Sequence, residues 1–175
     1  FADFAKSAER LDEMAVPQED RTAILSPPDF WGLVGSQTAL YITDVAKSAY
    51  RSGDLGSIAG IRTMMSQVVP TLTLGTRDNT TPLVNGVNQE VTYDTAKNAW
   101  SQNLITDGND NPSTMVVGDV FTIDGVFMVN PKTKASTGIL QQFTVLSAVS
   151  STGAATLSIS PPIIVSGPHT TVYTA

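Results

Sequence analysis

The residue best suited to move a proton near neutral pH is the single histidine, His169, set in Ser166-Gly167-Pro168-His169. Nucleophilic catalysis would need it beside an activated hydroxyl, and the sequence holds no Gly-x-Ser-x-Gly elbow. Zinc binding would need further imidazoles or thiolates, and there is no second histidine and no cysteine. His169 is therefore expected to be structural or solvent-facing. Asp107-Gly108-Asn109-Asp110-Asn111 is oxygen-rich like a calcium loop, but Pro112 stands where an EF-hand needs glycine and Gly118 where its bidentate glutamate belongs. A polar turn is expected instead. Gly53, Gly56 and Gly60 miss the G-x-G-x-x-G spacing and lead into an extended stretch, so they can turn the backbone but not cradle a phosphate. Glu9, Asp12 and Glu13 read as a solvated helical face, with nothing apolar around them to raise one carboxyl into a general acid. Lys132 and Lys134 are too few for a nucleic-acid stripe. Asn79-Thr80-Thr81 fits a glycosylation sequon, which means little without a secretory signal. Phe30, Trp31, Phe121, Phe127 and Phe143 are expected to fill cores. No catalytic residue, cofactor site or metal site is expected, and the chain reads as one that acts through its surfaces.

Composition narrows the classes further. The 175 residues carry a formal charge of −6, with 41% hydrophobic and 15% charged side chains, and no apolar run approaches the ~20 residues of a membrane span. A soluble, globular protein is expected. The acidic balance argues against broad binding of nucleic acid, which relies on clustered Lys and Arg to displace counterions. Without cysteine there is no disulfide framework, and the redox compartment stays open. The sequence opens on Phe1 with no charged-then-apolar signal pattern, so a piece of a longer protein is expected.

The elements that must position these residues fall into two compositions. Phe1 to Val69 holds 15 charged residues, whereas the longer stretch from Pro70 to Ala175 holds 11 and is rich in Thr, Ser, Val, Asn and Gly. A helix-containing lobe followed by an all-β module is expected, with the seam at Pro70. In the lobe, Phe1, Phe4, Ala5, Ala8 and Leu11 recur at helical spacing, and the helix should end near Val16 because Pro17 disfavours helical geometry before it. Thr22 to Leu25 fits a strand. Ser26, Pro27 and Asp29 form the start signal of a second helix carrying Phe30, Trp31, Leu33 and Val34, with Gly35 as its stop. A third helix is expected over Val45 to Tyr50, ended by Gly53, before an extended stretch from Ser57 to Val69.

In the β module, Val120 to Ile123 and Val126 to Val129 flank Asp124-Gly125, which predicts a hairpin with a type I′ turn. A second hairpin is predicted from Gln142 to Val149 and Ala154 to Ile159 around Ser150-Ser151-Thr152-Gly153. Asn85-Gly86 and Asp107-Gly108 are further turn candidates, and Val91 to Tyr93 and Ser101 to Ile105 are weaker strands. Many short strands suggest a small barrel or sandwich, with the barrel preferred because closure removes exposed edges.

Several segments resemble one known family. Val16-Pro17, Arg21 and Ile24-Leu25-Ser26-Pro27, then Arg51-Ser52-Gly53-Asp54-Leu55-Gly56-Ser57-Ile58-Ala59-Gly60-Ile61 ending in Ser66-Gln67-Val68-Val69-Pro70, are similar to runs in tailed-phage major capsid proteins. Val117-Gly118-Asp119-Val120-Phe121-Thr122-Ile123-Asp124-Gly125-Val126, Val129-Asn130-Pro131-Lys132-Thr133-Lys134, Leu140 to Val145 and Ile159-Ser160-Pro161-Pro162 resemble the insertion domain of the P-twenty-two-like coat proteins. The resemblance implies an α+β chain: a partial capsid-fold core lobe over residues 1–69 and a small antiparallel β-barrel insertion domain over residues 70–175. It also implies an internal fragment of a coat subunit that assembles into the hexamers and pentamers of an icosahedral shell, with a scaffolding protein as a possible partner. In the better-studied member a long loop of the insertion domain reaches a neighbouring capsomer. The corresponding region here, between Leu83 and Lys97, is shorter, so that contact is not carried over to named residues.

The expected function is thus structural and not enzymatic, in the virion and, before assembly, in the bacterial host cytoplasm. No membrane, cofactor or specific nucleic-acid partner is expected, and the isolated piece should be a monomer or weak dimer. The competing reading is a carbohydrate- or protein-binding β module of a phage tail or bacterial surface protein, for which Trp100 and Tyr93 are the candidate platform. A hydrolase is disfavoured for want of a nucleophile elbow or paired catalytic groups.

Overall fold

Strands outnumber helices in the computed structural model of the chain, which describes residues 2–37, 53, 55–76 and 82–175. The helix expected over Val45 to Tyr50, Phe1 and the sequon at Asn79 lie outside the described residues. The chain divides into two compact units, Phe1–Thr71 and Leu72–Ala175.

In the first unit, helix α1 (Ala2–Glu13) half-buries Phe4, Ala8 and Leu11 along one stripe while Ala5 stays exposed. It is closed by Ala15 in the left-handed region (φ 56), with the Val16 amide donating back to the Leu11 carbonyl, before Pro17 forbids continuation. Strand β1 (Thr22–Leu25) follows. Helix α2 (Pro27–Gln37) then starts as the sequence predicts: the Asp29 amide donates to Ser26 Oγ, and that hydroxyl donates to Asp29 Oδ2 at 2.5 Å. It runs through Gly35, which is not its stop.

Strands β2 (Ser57–Ile58) and β3 (Ile61–Met65) complete a sheet in the order β1-β3-β2, with β1 parallel and β2 antiparallel to β3. Ala59 and Gly60 both have positive φ (51 and 76), the requirement of a two-residue type I′ hairpin. One face of this sheet and α2 enclose Phe30, Val34, Leu55 and Ile58, with Phe4, Leu25 and Leu33 packed against them. Trp31, expected in a core, is 55% exposed and meets Phe30 edge-on; consecutive helical residues point about 100° apart, so both cannot face the same core.

The second unit is a six-stranded antiparallel sheet curled into a half barrel. Its strands are β4 (Leu83–Val84), β5 (Gln102–Met115), β6 (Val120–Val129), β7 (Ser136–Val145), β8 (Val149–Ser160) and β9 (Val172–Thr174), in the spatial order β4-β5-β8-β7-β6-β9. Two ribbons, β5 with β8 and β6 with β7, meet at a narrow seam where Thr144 pairs Ser160 and Val145 pairs Ile159. Burial alternates along β5 (Gln102, Leu104, Thr106 inward) and along β8 (Ala155, Leu157, Ile159 inward), the period-two pattern of strands with one covered face. Leu104, Phe143, Val145, Leu157, Ile159 and Val172 are the innermost members of this core, and Phe121 packs against it half-buried.

Both predicted hairpins are corrected. Val120 to Val129 is one continuous strand: Val120 pairs Thr144 on β7 and Val126 pairs Thr174 on β9, rather than the two runs pairing each other. Asp124-Gly125 is a bulge, since β6 advances five residues from Thr122 to Phe127 while β7 advances two, and Gly125 supplies its positive φ (74). A hairpin of four-residue arms is marginal by itself, whereas a ten-residue strand is bonded on both sides. Likewise Ser150 to Gly153 lies inside β8, whose partner is β5. Val91 to Tyr93 is no strand either: with Thr92 at its N-cap position, Tyr93–Ala96 forms the one-turn helix α3, braced by the Lys97–Asp94 ion pair at 3.0 Å.

Because Phe143 is fully enclosed and Trp31 is not, Phe143→Ala should lower the unfolding free energy of the second unit by about 3–5 kcal/mol, as emptied aromatic core sites do. Trp31→Ala should cost far less in the first unit. Chemical denaturation of both variants checks the contrast.

Candidate functional site

The groups capable of chemistry are engaged in holding backbone and aromatic contacts. His169 stacks on Tyr93, ring centroids 3.8 Å apart and 15° between planes, joining the loop before β9 to α3. Trp100 meets Tyr93 at 6.4 Å and 70°, so the two aromatics present no common flat face and the platform for a sugar ring is not formed. Among the described residues, no three His, Asp or Glu side chains stand close enough to share a metal ion. Asp107 lies in β5, its Oδ1 accepting from the Gly108 amide. Lys132 and Lys134 are exposed in the turn after β6, whose shape comes from Asn130: its Oδ1 accepts the amides of Lys132 and Thr133.

The least anticipated residue is Asp119. Its side chain is fully enclosed where β5 turns into β6, and its carboxylate accepts from the Val116 amide at 3.0 Å and the Gly75 amide at 3.3 Å. The chain before β4 is thereby tied to the turn. Thr76 and Thr114 extend the tie, the Thr114 amide donating to the Thr76 carbonyl at 2.8 Å and the Thr76 amide to Thr114 Oγ1 at 3.0 Å. Any Cβ at position 75 would lie 2.2 Å from the Thr114 carbonyl oxygen, so only glycine fits that approach. The family resemblance included Val117-Gly118-Asp119 without marking a turn there, and nothing local signalled that Asp119 would reach back to Gly75.

Two glutamines do similar work along β5. Gln89 faces Ile105 like a strand residue: its Oε1 accepts the Ile105 amide at 2.7 Å, while its Nε2 donates to the carbonyls of Ile105 and Asn85. Buried Gln102 donates to the Gln89 carbonyl and accepts the Ile163 amide at 2.6 Å. No buried side-chain polar atom among the described residues lacks a partner.

In the first unit, Arg21 gives chemical content to the run from Val16 to Pro27. Its Nη2 donates to the Val16 carbonyl at 2.6 Å, its Nε to the Pro17 carbonyl at 2.8 Å, and Nη2 also pairs with Asp12 Oδ1 at 2.8 Å. Asp12, read from sequence as one of three solvated carboxylates, is thus an ion-pair partner. The Arg21 hydrogen bond, then that from Gln18, hold its carboxyl below the ordinary value.

With the polar groups so committed, the unassigned features are apolar side chains turned outward on paired strands. Ile24 and Met64 sit in register on the exposed face of the first sheet. Leu83 and Ile105 are also exposed, Leu83 pairing Asp107 two residues along β5 from Ile105, and Leu72 rests on Gly118 near exposed Val117. Outward apolar side chains of this kind suit contact with other surfaces. The family model described as "P22 coat protein - gene protein 5" matches residues 1–171, and the chain belongs to that family. It is a structural subunit of a phage capsid: it self-assembles and resides in the virion shell. No curated protein matches the chain. No helix among the described residues is long and apolar enough to cross a membrane.

Two outcomes follow from this geometry. Asp119→Ala leaves the Gly75 and Val116 amides without their acceptor, and should cost about 2–4 kcal/mol in thermal or denaturant unfolding, given ~1–3 kcal/mol for each buried donor left unpaired. The depressed Asp12 pKa means that its ion pair contributes stability above the unfolded carboxyl's pKa, a contribution lost as pH falls through the lower folded value. Acid titration of unfolding should show this loss in the native chain and not in Asp12→Asn.

Proposed function

We propose that Leu72–Ala175 is the insertion domain of the coat subunit and that Phe1–Thr71 is part of its capsid-fold core. The observation that carries this reading is that the second unit encloses its own apolar core, from Leu104 to Val172, separate from the Phe30–Ile58 cluster of the first. A body with its own core tolerates insertion into another fold, because its stability does not depend on the host's contacts. It could also form early and support the less self-sufficient lobe.

The subunit, on this reading, is made in the host cytoplasm and joins hexamers and pentamers of an icosahedral shell, with a scaffolding protein as a candidate partner. Symmetry repeats each modest interface many times, so outward apolar residues such as Ile24 and Leu83 need contribute only a little apiece. Separated from the shell, the chain is expected to be a monomer or weak dimer. The platform reading has less behind it, since one face of Tyr93 is covered by His169.

Expression of Pro70 to Ala175 alone should give a cooperative thermal transition, and its absence would count against an autonomous insertion domain. Electron microscopy of the coat protein carrying this chain should reveal closed, regular shells; monodisperse particles that bind a glycan would favour the competing module.

A further inference from the structure

We propose that Asn85-Gly86 is a site of spontaneous backbone modification, and that its conversion loosens the segment stapled to β5 by Gln89. The sequence contains one Asn-Gly step. Both residues are exposed, immediately after β4, and no hydrogen bond among the described residues engages the Asn85 carboxamide. Gly86 has φ +92 with no heavy atom within 4 Å of where a Cβ would stand, so nothing packs against that side of the turn.

The chemistry needs only water. The deprotonated Gly86 nitrogen attacks Asn85 Cγ, the Cγ–Nδ2 bond breaks, and ammonia leaves with a proton, closing a five-membered imide. Water then opens one of the two imide C–N bonds. Opening at Cγ gives aspartate; opening at the former main-chain carbonyl gives isoaspartate, in which the backbone runs through the side chain. Neither step changes oxidation state, and the net reaction exchanges an amide for a carboxylate.

The surroundings select this step over the two Asp-Gly steps. Gly108 already donates its amide to Asp107, and both residues lie in β5; Asp124-Gly125 is the bulge inside β6, where the Gly125 carbonyl accepts the Ala175 amide. At Asn85 the consequences spread. Its amide donates to Ile105 and its carbonyl accepts from Gln89, whose side chain pairs with Ile105 and whose carbonyl is bonded to Gln102. An isoaspartate adds a methylene to the backbone path and a negative charge at the point where this staple begins.

The test is incubation of the folded 175-residue chain in mildly alkaline buffer made with oxygen-18 water, followed by peptide mass spectrometry. A peptide spanning Leu83 to Asn88 serves as the unstructured reference. Conversion at Asn85 with label uptake, within about tenfold of the peptide's rate, supports the proposal; slower conversion means that the fold raises the barrier and overturns it. Asn85→Gln, whose longer side chain would have to close a six-membered ring, should remain unconverted. Hydrogen exchange reads the second claim: the Ile105 amide should exchange faster in converted than in fresh protein, and equal rates would refute the loosening.

Discussion

Everything in the second unit depends on the bending of the β5–β8 ribbon. Nine residue steps from Val149 to Ser158 at about 3.3 Å would carry a straight strand some 30 Å away. Yet the Leu146 amide, three residues before Val149, donates to the Ser158 carbonyl at 2.8 Å. The ribbon therefore turns back on itself, and its register is interrupted in the right place, between Thr106 and Asn109 and again between Asn109 and Ser113. Bulges leave residues unpaired and sharpen twist. What they provide is a sheet that wraps Phe143 and Leu157 without a second sheet to cover them.

A bent sheet needs its corners fixed, and the polar residues perform that task. Asp119 holds the β5–β6 corner from within, Gln102 fixes the chain after β8 against the start of β5, and Gln89 covers Ile105 beyond the two-residue strand β4. Arg21 does the equivalent in the first unit, gathering the carbonyls that α1 leaves behind. In an enzyme, enclosed carboxylates and amides of this kind would be candidates for substrate contacts. Here each points at backbone, which suits a shell subunit whose surfaces must keep one shape from copy to copy.

How much of this could be read from the sequence differed with the range of the interaction. Helix α1, strand β1 and the start of α2 were legible, because amphipathic spacing, Pro17 and the Ser26–Asp29 box act within a few residues. Of the two positive φ values that a type I′ turn at Asp124-Gly125 needs, only that of Gly125 is present, and distant strands β7 and β9 make the step a bulge instead. Asp119 was invisible as an anchor because Gly75 lies 44 positions away. The tight β2–β3 hairpin escaped because Ala59-Gly60 lacks the asparagine or aspartate that usually betrays a type I′ turn. The family resemblance supplied what propensity could not.

An open sheet leaves two edges, and for a protein that assembles through repeated contacts such edges are hazardous, since unpaired backbone accepts almost any strand. The hazard is kept small here. The outermost strands, β4 and β9, are two and three residues long, and where β4 ends the side chain of Gln89 takes over the pairing of Ile105. A side-chain amide satisfies the same donor and acceptor as a neighbouring strand but cannot propagate a ladder. Little backbone edge is therefore left open where β4 ends, and the Gln89 staple keeps Ile105 in place there.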